Sequence, residues 1–151
     1  MIGEIQKKQI FIGSDHAGFE AKNQLRDFLN ADYKVTDLGT FTPEPYDYPD
    51  IAREVGEKIQ EYPDSFGILL CGSGIGVAMA ANKLRGVRAV QAINEELAAM
   101  ARTHNDANVL TLGARVTDVA TMKKIVVKFL ATPFEKTEER RVRRVKKMNE
   151  M

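Results

Sequence analysis

Apolar and polar positions along this chain sort into two kinds of segment. Short, nearly unbroken apolar runs occur at residues 9–14, 66–71, 87–93 and 108–112, and a shorter, half-polar run lies at 34–38. Runs of this length suit strands of a parallel sheet, which is buried on both faces. Between them the apolar residues recur at helical spacing. Residues 19–30 present Phe19, Leu25, Phe28 and Leu29; residues 50–61 present Ile51, Val55 and Ile59; residues from 117 or 118 to 130 present Met122, Ile125, Val126, Phe129 and Leu130. Residues 77–84 and 95–102 hold good helix formers, and a basic helix is predicted over 138–148. Asp50, Asn94 and Thr117 or Asp118 stand where N-caps belong, and Pro133 ends the helix before it. Residues 39–49 hold Pro43, Pro45, Tyr46, Tyr48 and Pro49 and read as a loop, and residues 104–107 as a polar turn. Five strands alternating with helices predict a three-layer α/β/α Rossmann-like sandwich on a five-stranded parallel sheet, with residues 1–151 as one domain.

Composition narrows the possible partners. With 44% hydrophobic and 28% charged residues the chain is ordinary for a globular protein, and a formal net charge of +1 gives no general attraction to nucleic acid or membrane. Its one cysteine excludes an internal disulfide framework and fits a reducing cytoplasm. Two histidines and no zinc-type spacing argue against a metal centre. The first eight residues lack the apolar stretch of a signal peptide, and no apolar run approaches the ~18 residues that suggest a membrane span.

The richest stretch is Cys71-Gly-Ser-Gly-Ile-Gly76, where an apolar strand ends in glycines at alternate positions before a helix. Strand, glycine turn and helix together aim backbone amides at an anion. It is not the G-x-G-x-x-G of a dinucleotide site, and it follows the third strand rather than the first. A cysteine at such a strand end reads either as an inert core thiol or as a base or nucleophile beside a helix N-terminus. Asp15-His16 follows the first strand and Arg115 the fifth, so a parallel sheet brings them to the same carboxyl edge as Cys71, where α/β proteins bind ligands. Asp15 also reads as a helix cap, and His104-Asn105 as a helix end, with Asp106 an alternative orienting carboxylate. Residues 135–147 carry seven basic and three acidic side chains. Val142, Val145 and Met148 recur there so that one side can pack, while Arg140 and Arg144 are i,i+4 neighbours able to converge on one phosphate.

Taken together, Ile12-Gly-Ser-Asp-His-Ala-Gly18, Tyr48-Pro-Asp50, Cys71-Gly-Ser-Gly-Ile-Gly76, His104-Asn-Asp-Ala-Asn-Val109 and Gly113-Ala-Arg115 resemble the ribose-5-phosphate isomerase B family, which includes galactose-6-phosphate isomerase subunits. The resemblance implies a cofactor-free interconversion of ribose 5-phosphate and ribulose 5-phosphate, a step of the pentose phosphate pathway. It implies that Cys71 moves the proton between C2 and C1 and that amides of Gly72, Ser73, Gly74, Ile75 and Gly76 stabilise the enediolate. It further implies that His104 with Asp15 opens the sugar ring, that Ser73 lies near the reacting oxygens and that Asn105 binds a hydroxyl. His16, Arg115, Arg140 and Arg144 correspond to the phosphate grip. The family builds its site between two subunits, so a homodimer, or a tetramer of such dimers, is implied. Where the family often has Arg-His-x-x-Arg, this chain reads Arg140-Arg-Val-Arg-Arg144. Two other readings compete: a six-carbon substrate such as allose 6-phosphate or galactose 6-phosphate, and a phosphate- or nucleotide-binding module without chemistry.

Overall fold

The computed structural model describes residues 7–151; the amino-terminal reading of residues 1–6 lies outside them. The strands are β1 (Gln9–Ser14), β2 (Lys34–Asp37), β3 (Phe66–Cys71), β4 (Ala89–Gln91) and β5 (Val109–Gly113). The helices are α1 (Phe19–Leu29), α2 (Tyr48–Glu61), α3 (Ile75–Ala81), α4 (Glu95–Asn105), α5 (Val119–Ala131) and α6 (Glu139–Asn149). All strand pairs are parallel, in the order β2-β1-β3-β5-β4. The predicted five-stranded parallel sheet is therefore the observed one.

The central strands alternate their side chains between two cores, as a pleat requires. Ile10, Ile12, Ile68, Leu70, Leu110 and Leu112 point to the layer of α1, α4 and α5, whose Leu25, Ala98 and Phe129 close that side. Phe11, Leu69, Cys71 and Val109 point the other way, onto Ile51, Val55 and Ile59 of α2 and Val77 and Ala81 of α3. α6 packs against α4 at the outside of the first layer. The strand order turns back between β1 and β3, because β2 follows β1 on one side and β3 lies on the other. A crevice outside the carboxyl ends of two such strands is where open α/β sheets place ligands.

Several boundaries and faces differ from the sequence reading. α2 begins at Tyr48, because Asp47 is the extended residue before it and Pro49 fits a first helical turn, where no amide is needed; Asp50 is inside the helix. α3 runs from Ile75 to Ala81 rather than over 77–84. It stops there because the Asn82 side chain turns to the edge strand, donating to Ala89 O (2.8 Å) and accepting from Ala89 N (2.7 Å). β4 is three residues long because it pairs only with β5, over Ala89–Gln91. On α1, Phe28 is exposed, and Lys22 joins Leu25 and Leu29 among the buried positions, fully enclosed although charged. On α6 only Val145 is buried, with Val142 and Met148 exposed. α4 continues to Asn105, so His104 and Asn105 form its last turn instead of a separate polar turn.

Candidate active site

Two strand ends and one glycine turn make the carboxyl-edge half of the site. Asp15 leaves β1 in an extended conformation and caps the short 3₁₀ turn His16–Gly18, its Oδ1 accepting from Ala17 N (2.9 Å) and Gly18 N (3.2 Å). The carboxylate is nearly enclosed, while His16 beside it is exposed. The Tyr46 amide donates to His16 Nδ1 at 3.1 Å. The Tyr46 carbonyl oxygen lies 3.3 Å from the same nitrogen, so the loop holds the ring at Nδ1 in either tautomer. Burial, with Glu54 and Asp50 nearby, pushes the Tyr46 phenol up, so it stays protonated.

Cys71 ends β3, is buried, and its Sγ accepts a hydrogen bond from Gly74 N (3.1 Å). Ile75 N donates to Ser73 Oγ (3.1 Å). Two of the amides expected to face an anion are thus directed to side chains within the turn. α3 has no side-chain cap, so the amides of its first turn, Gly76 and Val77, still have no intrahelical acceptor. The turn presses on β5: a Cβ at Gly74, where φ is +80°, would lie 2.9 Å from the Leu112 carbonyl carbon, and one at Gly113 would lie 2.5 Å from the Ser73 carbonyl. Arg115 reaches back over this turn, its Nη1 2.9 Å from where a Gly72 Cβ would stand. Tyr48, partly exposed, lies against Gly76. The structure therefore brings Asp15, His16, Cys71, the 72–76 turn and Arg115 to one edge, as the sequence predicts.

His104 and Asn105 do not join them. α4 starts beyond the carboxyl end of β4 and runs back, so its last turn sits at the amino end of β5. There a cavity of about 350 Å³ is lined by His104, Asn105, Arg140, Arg141 and Arg144. Arg143 is not among its walls. Arg141 pairs with Glu135, and Arg140 lies 3.5 Å from Glu138. Asp106 does not orient His104: it caps α4 with φ +48° and bridges Arg102 (2.9 Å) and Arg88 (3.4 Å). Arg141 also belongs to the cluster, although the family spacing selects only Arg140 and Arg144, because a run of arginines does not reveal which face meets α4. The sequence places Tyr46 only in a loop; its backbone contact with His16 depends on the fold.

An α/β/α sandwich with a glycine turn at the strand switch point, and an arginine-rich cluster at the other edge, combines the features with which α/β proteins receive small anions. Residues 10–148 match the ribose/galactose isomerase family, and the chain belongs to it. It is 44% identical over 128 residues to a probable ribose-5-phosphate isomerase B of Mycoplasma pneumoniae, covering 83% of this chain and 84% of that one. It is 38% identical over 129 residues to the ribose-5-phosphate isomerase B of Escherichia coli, covering 85% and 87%. The structure of ribose-5-phosphate isomerase B from Mycoplasma genitalium with bound ribulose-5-phosphate superimposes with a TM-score of 0.91 at 40% identity, covering 96% of each chain. Among the described residues no helix is long and apolar enough to cross a membrane.

Proposed function

We propose that this protein interconverts D-ribose 5-phosphate and D-ribulose 5-phosphate through an enediolate, at a site shared by two copies of the chain. The observation that carries the reaction is the structural likeness, over 96% of each chain, to the Mycoplasma genitalium protein whose structure holds ribulose-5-phosphate. The sharing is supported by the separation within one copy. Cys71 is the register partner of Gly113, whereas His104 precedes Val109 at the other end of β5. Four strand steps alone span roughly 13 Å at ~3.3 Å per residue.

In this reading His104 of one copy and Asp15 of the other open the furanose ring by moving a proton between the hydroxyl and the ring oxygen. The Cys71 thiolate takes the C2 proton of the open aldose and returns it to C1, while a proton passes from O2 to O1. Substrate and product are isomers, so nothing else is consumed. The free amides of the first turn of α3, with the Ser73 hydroxyl, face the oxygens on which charge develops; donors of this kind are worth ~10²–10³ in rate. Asn105 binds a sugar hydroxyl. Arg140 and Arg144, with His16 and Arg115 from the opposite edge, neutralise the phosphate. A six-carbon sugar phosphate is the second reading, because the matched family spans ribose and galactose isomerases. The single unpaired cysteine supports work in the reducing cytoplasm.

The test is ribulose 5-phosphate formation by the purified protein and by Cys71→Ala. Turnover in the first and its loss in the second, with substrate still bound, are expected. An inactive wild type that turns over allose 6-phosphate or galactose 6-phosphate selects the second reading. Ligand binding with no turnover of any of these makes it a binding module.

A further inference from the structure

We infer that Gln91 and Thr111 are positioning residues for the Cys71–Ser73 pair, acting through the two peptide planes on either side of Gly74; the inference rests on the proton-transfer role proposed for Cys71. The two side chains are register partners on β4 and β5, so they lie side by side on one face of the sheet, the face that also bears Leu69 and Cys71. Gln91 Nε2 donates to Ser73 O, and Thr111 Oγ1 donates to Gly74 O at 2.6 Å.

A trans peptide is planar, with its C=O and N–H pointing opposite ways. The peptide joining Ser73 to Gly74 therefore has its oxygen on Gln91 and its N–H on Cys71 Sγ (3.1 Å). The next peptide has its oxygen on Thr111 and its N–H on Ser73 Oγ (3.1 Å). Each plane is held at both ends, one end by a strand side chain and the other by a side chain of the proposed chemistry. Rotating either plane withdraws the donor from sulfur or from the serine hydroxyl. Thr111 is fully buried and Gln91 half-buried, and the turn packs on the β5 backbone with no room for a Cβ at Gly74. Gln91 is a polar residue of the edge strand and Thr111 a buried hydroxyl of the strand beside it, and both direct their side-chain donor to the turn. Their neighbours in the strands are Val90 and Leu110.

The test uses the full chain as its native assembly. Gln91→Met and Thr111→Val keep side-chain volume and remove the donor, and Thr111→Ser restores it. The expected result is a fall of about tenfold in kcat with KM within about twofold, the size a lost buried hydrogen bond produces. Amide hydrogen exchange read by nitrogen-15 NMR is expected to speed up about tenfold at Gly74 in Gln91→Met and at Ile75 in Thr111→Val. Thr111→Ser is expected to behave as wild type in both readouts. Wild-type exchange at Gly74 and Ile75 in both variants overturns the inference, and so does a loss confined to KM. If Gln91→Met does not fold, Gln91→Glu, which sets a carboxylate against the Ser73 carbonyl, must show the faster Gly74 exchange or the inference fails. A wild type inactive on every sugar phosphate refutes the catalytic reading, while the exchange rates still decide whether the two planes are held.

Discussion

Cys71 and His104 stand at opposite ends of the same parallel sheet. One closes β3 at the carboxyl edge and the other ends α4 where β5 begins. Each brings its own cations: Arg115 lies over the turn after Cys71, and Arg140, Arg141 and Arg144 surround His104. If one site needs both, it needs two copies.

Mixing Cys71→Ala with His104→Ala tests this directly. Each variant alone has no intact site, but a mixed dimer has one intact and one doubly mutated site. Random reassortment of a two-fold dimer thus restores activity to roughly a quarter of the wild-type sites. No recovery from dimers shown to be mixed means that both residues serve one copy.

Arg144→Ala and Arg143→Ala differ by one position and are expected to differ in effect. Arg144 lines the cavity with His104, whereas Arg143 does not. A charge-assisted hydrogen bond to phosphate contributes about 1.5–3 kcal/mol, so Arg144→Ala is expected to raise KM about 10- to 100-fold. Arg143→Ala is expected to stay within about twofold. Equal effects in steady-state kinetics argue against the cavity as the phosphate site.

His104→Ala is expected to lose more turnover on cyclic ribose 5-phosphate than on an aldose phosphate that cannot close a ring, because only the former requires ring opening. Comparable losses on both substrates remove His104 from that step.

The buried cation on α1 makes a stability prediction. Lys22 Nζ donates to both oxygens of Asp37 (2.8 and 2.9 Å) and to Thr40 O (2.7 Å), and Arg26 adds a bond to Asp37 at 2.9 Å. Burial by itself pushes the Asp37 carboxyl up, but the Lys22 ammonium, the Gly39 amide and the Arg26 guanidinium outweigh it and hold it below the usual range. A carboxyl lowered on folding contributes stability that is full above the ordinary value of about 3.9 and is lost as pH falls through the lower folded value. Urea midpoints from about pH 6 to pH 2 are therefore expected to fall less steeply with acid in Asp37→Asn than in wild type. Lys22→Met leaves Asp37 partly uncompensated and is expected to cost about 3–5 kcal/mol. Parallel acid limbs in wild type and Asp37→Asn contradict the assignment.

The sheet, its parallel sense and the residues at its carboxyl edge were legible because they depend on local signals. Apolar runs marked β1, β3 and β5, and the glycines after Cys71 marked the turn. Asn94 and Asp118 were readable as caps, and both accept the expected amide, from Leu97 and Thr121. Helix ends set by distant groups were not legible. α3 stops where Asn82 turns to Ala89, and α4 runs through His104 to Asn105 and is capped by Asp106, whose carboxylate is held by Arg88 just before β4. Lys22 was hidden for the same reason: its burial depends on Asp37 and Thr40, which lie 15 and 18 residues away. The alignment of Gln91 with Thr111 exists only once β4 and β5 are paired.

The fit between the glycine turn and β5 has an evolutionary consequence. With backbone lying where side chains at Gly74 and Gly113 would go, neither position can take a side chain unless the turn or β5 moves, so the two cannot be altered by small steps in sequence. Divergence toward another substrate must enter through residues with space to vary: the exposed Tyr48 and His16 on one edge, and the arginines of α6 on the other. The turn is the sterically fixed part of the molecule, and the residues around it are the adjustable part.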